Sequence, residues 1–139
     1  MKPFIQNISK AAYAAGDHFD CGPRAVAIEI LDPCGTPVVP KHKFAKTHTL
    51  HFLDVEAEDK WGEEFAVTDG QAAELVDILQ DALQERRNVI VHCTVGMCRS
   101  GAVAEVGVMM GFTDTGAYRQ PNVLVKDKML SALCWGYSK

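Results

Sequence analysis

The sequence predicts an α/β fold, a three-layer-type sandwich with a central, mainly parallel sheet flanked by helices. Three observations lead there. Segments with strand-type patterning alternate with segments of helical periodicity along the chain. Residues 88–91 (NVIV) are too short and too apolar for a half-exposed strand, so they belong in the middle of a sheet covered on both faces. The stretch 102–110 (AVAEVGVMM), with Glu105 as its one charge, is apolar around most of its circumference, as a helix buried within a domain is.

Length and composition set the scale. At 139 residues and 47% apolar content, the chain fits a single domain, 1–139, with a real core. No repeat, low-complexity segment or linker divides it. A formal net charge of −4 argues against an extended nucleic-acid surface while leaving room for a local basic pocket. No stretch approaches the roughly 18 uncharged apolar residues of a membrane span, and Gln6, Asn7 and Lys10 fall where a signal peptide would be apolar. A cytoplasmic protein without membrane or nucleic-acid partners is the expectation. Cys21, Cys34, Cys93, Cys98 and Cys134 form no Cys-x-x-Cys pair and leave an odd thiol, which fits a reduced compartment. No metal site is expected: His48 and His51 would point to opposite faces of a strand, and no second ligand pair has zinc-like spacing.

In order, residues 4–8 (FIQNI) read as a short strand, with Ser9 as N-cap of an Ala-rich turn, 10–15, that Gly16 ends. Residues 25–31 (AVAIEIL) read as a strand running into a turn at Asp32-Pro33. The basic run Lys41, His42, Lys43 and Lys46 is either a solvated loop or an attractor for an anionic substrate. Residues 47–54 (THTLHFLD) alternate as a strand that ends at Asp54. An acid-rich loop follows, and Thr68 stands three residues before Gln71 in capping-box spacing. Ala72, Leu75, Val76, Leu79 and Leu83 then recur on one helical face as far as Arg86-Arg87. Gly111 stops the helix 101–110, and Asn122 caps a last helix with Val125, Met129, Ala132 and Leu133 on one face.

Between the buried strand and the buried helix lies HCTVGMCRS, residues 92–100. A strand that turns at once into a helix presents several backbone N–H groups to one point, and the helix dipole adds partial positive charge there. Thr94, Val95, Gly96, Met97 and Cys98 would cradle a phosphate dianion, and Arg99 would grip two of its oxygens with a planar fork that a lysine lacks. Cys93 opens the loop, so the same dipoles favour its thiolate, placed to attack phosphorus. Ser100 can donate its hydroxyl to the sulfur, and Gly96 lets the backbone approach the ligand without a Cβ in the way. His92 supports the loop by hydrogen bonding.

Strand, His92, Cys93, five residues, Arg99, Ser100 and then helix together resemble the signature of the cysteine-dependent protein tyrosine phosphatase superfamily. Its late position is similar to the dual-specificity branch. The runs THTLHFLDV and VIVHCTVGMCRSGAVA, the helix from Thr68 and Pro121-Asn122 resemble the small phosphatase-like proteins of bacteria and their phages. The resemblance implies a phosphotyrosine protein phosphatase-like fold and a metal-independent hydrolase using a cysteinyl-phosphate intermediate, with no cofactor. It also implies an upstream aspartic acid that protonates the leaving oxygen. Asp54 is the candidate, because it ends the strand that should lie beside the catalytic one; Asp59 is the second choice, with Glu56 and Glu58 nearby.

Inositol-lipid phosphatases of the superfamily usually carry lysines inside the loop. Thr94, Val95, Met97 and Cys98 bring no charge, so the resemblance implies a phosphorylated protein or a small phosphomonoester as partner, and not a polyphosphorylated one. Cys98 either packs as a small residue behind the loop or offers Cys93 a reversible disulfide. A non-catalytic phosphate-binding module and a rhodanese-like sulfurtransferase remain as alternatives, since both use an anion cradle.

Overall fold

The computed structural model describes residues 2–56 and 62–137. Its elements run β1 (Phe4–Ser9), α1 (Lys10–Ala15), β2 (Val26–Leu31), β3 (Lys46–His51), a 3₁₀ turn (Glu63–Phe65), α2 (Asp69–Gln84), β4 (Val89–Cys93), α3 (Arg99–Met110), β5 (Thr113–Asp114) and α4 (Val123–Tyr137). The five strands form one sheet in the order β3-β2-β4-β1-β5, and every pairing is parallel. This is the α/β sandwich the sequence predicts. The two-residue β5 is an addition, too short to carry a periodic signal.

Burial follows position in the sheet. Every residue of β2 and of β4 is buried, as central parallel strands covered on both faces must be. At the edge, only Leu50 of β3 is buried. The larger core lies on one face, where Ile28, Ile30, Val89 and Val91 meet Leu75 and Leu79 of α2, Val103 and Val106 of α3, and Val125 and Met129 of α4. On the other face a thinner layer, Tyr13 of α1 with Val38 and Phe44 of the β2–β3 loop, covers Ile8, Ala27 and Ile90. Pleating therefore sends alternate residues of one strand to different layers, Cys93 to the α3 side and His92 to the α1 side.

Local chemistry sets the element ends. The Ser9 side chain accepts from Ala12 N, and Gly16 closes α1 in a left-handed conformation. Thr68 and Gln71 form the full capping box at the start of α2. The strand read over 47–54 is shorter than its alternation suggests: Phe52 N still bonds Leu31 O, but Leu53 N turns away to Phe65 O. Asp54 therefore lies beyond the ladder. Among the described residues, no helix is long and apolar enough to cross a membrane.

Candidate active site

The segment joining β4 to α3 sits at the carboxyl end of the parallel strands, with Cys93 paired to Ser9 of β1. Its carbonyls are drawn outward by neighbours. Lys10 N bonds Thr94 O, Gln120 N bonds Met97 O, and both Ala102 N and Asn122 N bond Cys98 O. The buried Asn7 amide donates to Gly96 O at 2.7 Å and to Tyr118 O at 3.0 Å. Because a trans peptide points its N–H opposite to its C=O, the amides of Val95, Met97, Cys98 and Arg99 face the inner side of the loop. Cys98, which precedes α3, makes no side-chain cap, so the positive end of that buried helix is open to an anion.

Cys93 is 2% exposed, beneath this cradle. Its Sγ accepts from Gly96 N at 3.3 Å and lies 3.2 Å from Ser100 Oγ. Gly96 has φ +87°, and a Cβ there would stand 2.4 Å from both Ile8 C and Ser9 N. The glycine is thus required by close packing against the end of β1, a reason different from the ligand approach inferred from sequence.

Arg99 is buried at the first position of α3. Its Nη1 donates to Asp32 Oδ1 and to Phe52 O, both at 2.8 Å, and Nη2 reaches Thr94 Oγ1 at 3.3 Å. One edge of the guanidinium is therefore anchored. Nε is buried without a partner, so Nε and Nη2 form the edge left for an oxyanion. Asp32, read from sequence only as a turn former, directly follows β2, the strand beside β4, and holds this arginine.

The sheet order corrects the reason for choosing Asp54. β3 does not lie beside β4, because β2 separates them. Asp54 reaches the loop another way: its Oδ1 accepts from Asn122 Nδ2 at 2.7 Å, and the same amide bonds Val55 O at 3.0 Å. Asn122 is 1% exposed, caps α4 through Val125 N, and ties its own N–H to Cys98 O, so one side chain links acid, loop and helix. Burial pushes the Cys98 thiol up, and its hydrogen bond with Asp54 adds to that. Cys98 therefore faces the carboxylate, and Cys93 and Cys98 are both free thiols. Glu56 is engaged at the start of α4, accepting from Val123 N and Leu124 N. Glu58 and Asp59 lie outside the described residues.

His92 stands beside Cys93 at the end of β4, behind the loop. It is fully buried, and neither ring nitrogen makes a well-formed hydrogen bond. Its ring lies on Tyr13, centroids 4.2 Å apart, with Nε2 3.5 Å from Glu29 Oε2. Burial pushes its pKa down to about 4; the Cys93 backbone opposes this, while Lys10 and Arg99 reinforce it. At neutral pH it is an uncharged imidazole. Of the basic run, Lys46 opens β3 at the other end of the sheet and pairs with Glu85, and His42 bonds Gly22 O. No group of three or more His, Cys, Asp or Glu that could hold a metal occurs among the described residues.

No protein-family model matches the chain, and no curated protein matches it. A solved structure does: OH1 from the Orf virus, a tyrosine phosphatase that displays distinct structural features and triple substrate specificity, superposes with a TM-score of 0.50. The fold is that of a tyrosine phosphatase. The superposition takes in 97% of this chain and 69% of the viral one at 16% identity, so what the two share is the backbone arrangement. Within this fold, the contacts that Asp32, Asn7, Asn122 and Glu29 make around the loop are not evident from the sequence. Asn7 and Glu29 carry one signal there, as polar residues within strands otherwise fit for burial.

Proposed function

We propose that the protein is a phosphomonoester hydrolase of the protein tyrosine or dual-specificity phosphatase type, acting through a cysteinyl-phosphate intermediate. One observation carries the reading: a buried Cys93 sulfur lies beneath a loop whose carbonyls are tied outward, next to the open end of α3 and the half-free guanidinium of Arg99. That combination of nucleophile, amide donors and cationic fork suits a phosphate and its trigonal-bipyramidal transition state.

In the first step the Cys93 thiolate attacks phosphorus as the bond to the leaving oxygen breaks, and Asp54 delivers a proton to that oxygen. In the second, water attacks phosphorus, Asp54 takes its proton, and the sulfur leaves with the Ser100 hydroxyl donating to it. Arg99 follows the equatorial oxygens with Nε and Nη2 in both steps. No step calls for a metal or cofactor. The uncharged loop side chains favour a phosphorylated protein or a small phosphomonoester, and the free thiols of Cys21, Cys34, Cys93 and Cys98 suit a reducing cytoplasm.

Hydrolysis of p-nitrophenyl phosphate without added metal, inhibited by vanadate and abolished in a folded Cys93→Ser variant, is the expected result. Undiminished turnover by that variant would contradict the mechanism. Phosphate binding without turnover would mark a binding module, and a Cys93 persulfide formed from thiosulfate would mark a sulfurtransferase.

A further inference from the structure

On the α1 side of the sheet, the buried titratable side chains of Tyr13, Glu29 and His92 lie together and take no part in the hydrolytic steps. Glu29 of β2 and His92 of β4 are paired directly across the sheet, so both project to the same face. Their exposures are 3% and 0%, with Tyr13 at 0%. The Tyr13 hydroxyl stands 3.5 Å from Glu29 Oε1, and Glu29 Oε2 stands 3.5 Å from His92 Nε2. Oε2 and both ring nitrogens lack a well-formed partner.

Buried polar atoms left unpaired cost about 1–3 kcal/mol each, so the arrangement that pairs all of them is the one to seek. An ionised Glu29 against an imidazolium is disfavoured on both sides. Burial raises the carboxyl and lowers the imidazole, and around them Lys10 of α1 and Arg99 of α3 both oppose a charged ring. The Tyr13 hydrogen bond and Lys10 both favour the carboxylate, but burial outweighs them and the net direction is upward. Tyr13, also bonded by Thr47 of β3, keeps its proton because burial and Glu29 raise it. One distribution of protons then satisfies every atom. The Tyr13 hydroxyl donates to Oε1, a proton on Oε2 is donated to Nε2, and the ring carries its own proton on Nδ1. With Nε2 turned to Glu29, Nδ1 is the nitrogen left for the Cys93 backbone, which favours a proton on the ring.

We propose that Glu29 is a positioning residue which, as a neutral carboxylic acid, donates to His92 Nε2 and so holds the ring proton on Nδ1, facing the Cys93 backbone at the foot of the loop. A donor held there would extend to Cys93 the outward tethering seen at the carbonyls of Thr94, Gly96, Met97 and Cys98. This role rests on Cys93 being the nucleophile, as proposed above, and concerns how its peptide is oriented.

The test is the ring tautomer of His92, read from the nitrogen chemical shifts of the histidine-labelled full chain. At about pH 6, above the imidazole's own titration, the wild type should carry the proton on Nδ1. Glu29→Gln, whose amide also donates to Nε2 while its oxygen accepts from Tyr13, should keep that tautomer. Glu29→Leu, with nothing to donate, should lose the preference. A wild-type ring protonated on Nε2 or on both nitrogens overturns the proposal. So does loss of the Nδ1 proton in Glu29→Gln, or wild-type ring shifts retained in Glu29→Leu. Should Glu29→Leu fail to fold, the wild type and Glu29→Gln still decide. These spectra need no turnover, so the tautomer is read in the same way whether or not the protein hydrolyses phosphate.

Discussion

Gly96 is where loop geometry and chain packing meet, and Gly96→Ala tests both. An alanine Cβ would fall 2.4 Å from Ile8 C and Ser9 N and 2.6 Å from Ile8 O, all of them backbone atoms that no rotamer change can move. Reaching ordinary contact at 3.4 Å requires the loop and the end of β1 to separate by about 1 Å. The positive φ costs an L-residue about 1–2 kcal/mol. The separation also stretches the Asn7 bond to Gly96 O and the Gly96 bond to Cys93 Sγ, each worth about 0.5–1.5 kcal/mol. The expected sum is a loss of about 2–5 kcal/mol in urea unfolding, with the slope unchanged. A displacement of that size near reacting atoms also costs about 10²-fold in kcat. Wild-type stability together with wild-type turnover of p-nitrophenyl phosphate by Gly96→Ala would refute the account of the loop.

Asp54→Asn should slow hydrolysis of an alkyl phosphate, whose leaving group needs a proton, by about 10²- to 10⁴-fold while sparing a nitrophenyl ester far more. If Asp59→Asn gives that pattern and Asp54→Asn does not, the acid is misassigned. Asn122→Ala removes the amide that holds Asp54 and the cap of α4, so it should lower stability by about 1–2 kcal/mol and reproduce the leaving-group dependence in weaker form; equal loss on both esters would count against a role through Asp54. His92 predicts an acid-side instability. Its pKa is about 4 in the fold against 6.5 unfolded, so its contribution is fully present above pH 6.5 and is lost as pH falls toward about 4, by about 3 kcal/mol. Glu29, raised in the fold, acts in the opposite sense: its contribution is present at low pH and lost as pH rises through its folded value. Urea midpoints across that window should fall less steeply with acid in His92→Gln, and an unchanged slope would show that His92 is not the group responsible.

Local signals were legible where the chemistry is local. The capping box at Thr68 and Gln71, the left-handed Gly16, the wholly buried 89–91 run that follows the half-buried Asn88, and the loop from His92 to Ser100 all depend on neighbours within a few positions. Strand order does not. Nothing in the alternation of 47–54 says that β2 will lie between that strand and β4, and the choice of Asp54 rested on an adjacency the sheet lacks. Its link to the loop runs through Asn122, 68 residues away, whose sequence signal is that of a helix cap. Asp32 was hidden for a related reason, because Asp before Pro reads as a turn whether or not the carboxylate meets an arginine 67 residues later. The reason for Gly96 also lay across the sheet, in the backbone of Ile8 and Ser9.

The central claim is that phosphate passes through the Cys93 sulfur. Rapid denaturing quench during turnover of p-nitrophenyl phosphate, followed by peptide mass spectrometry, tests it most directly. One phosphoryl group is expected on the peptide bearing Cys93, at higher occupancy in Ser100→Ala because departure of the sulfur is slowed. Turnover with Cys93 unmodified in both proteins, or phosphate carried on a different residue, would contradict it.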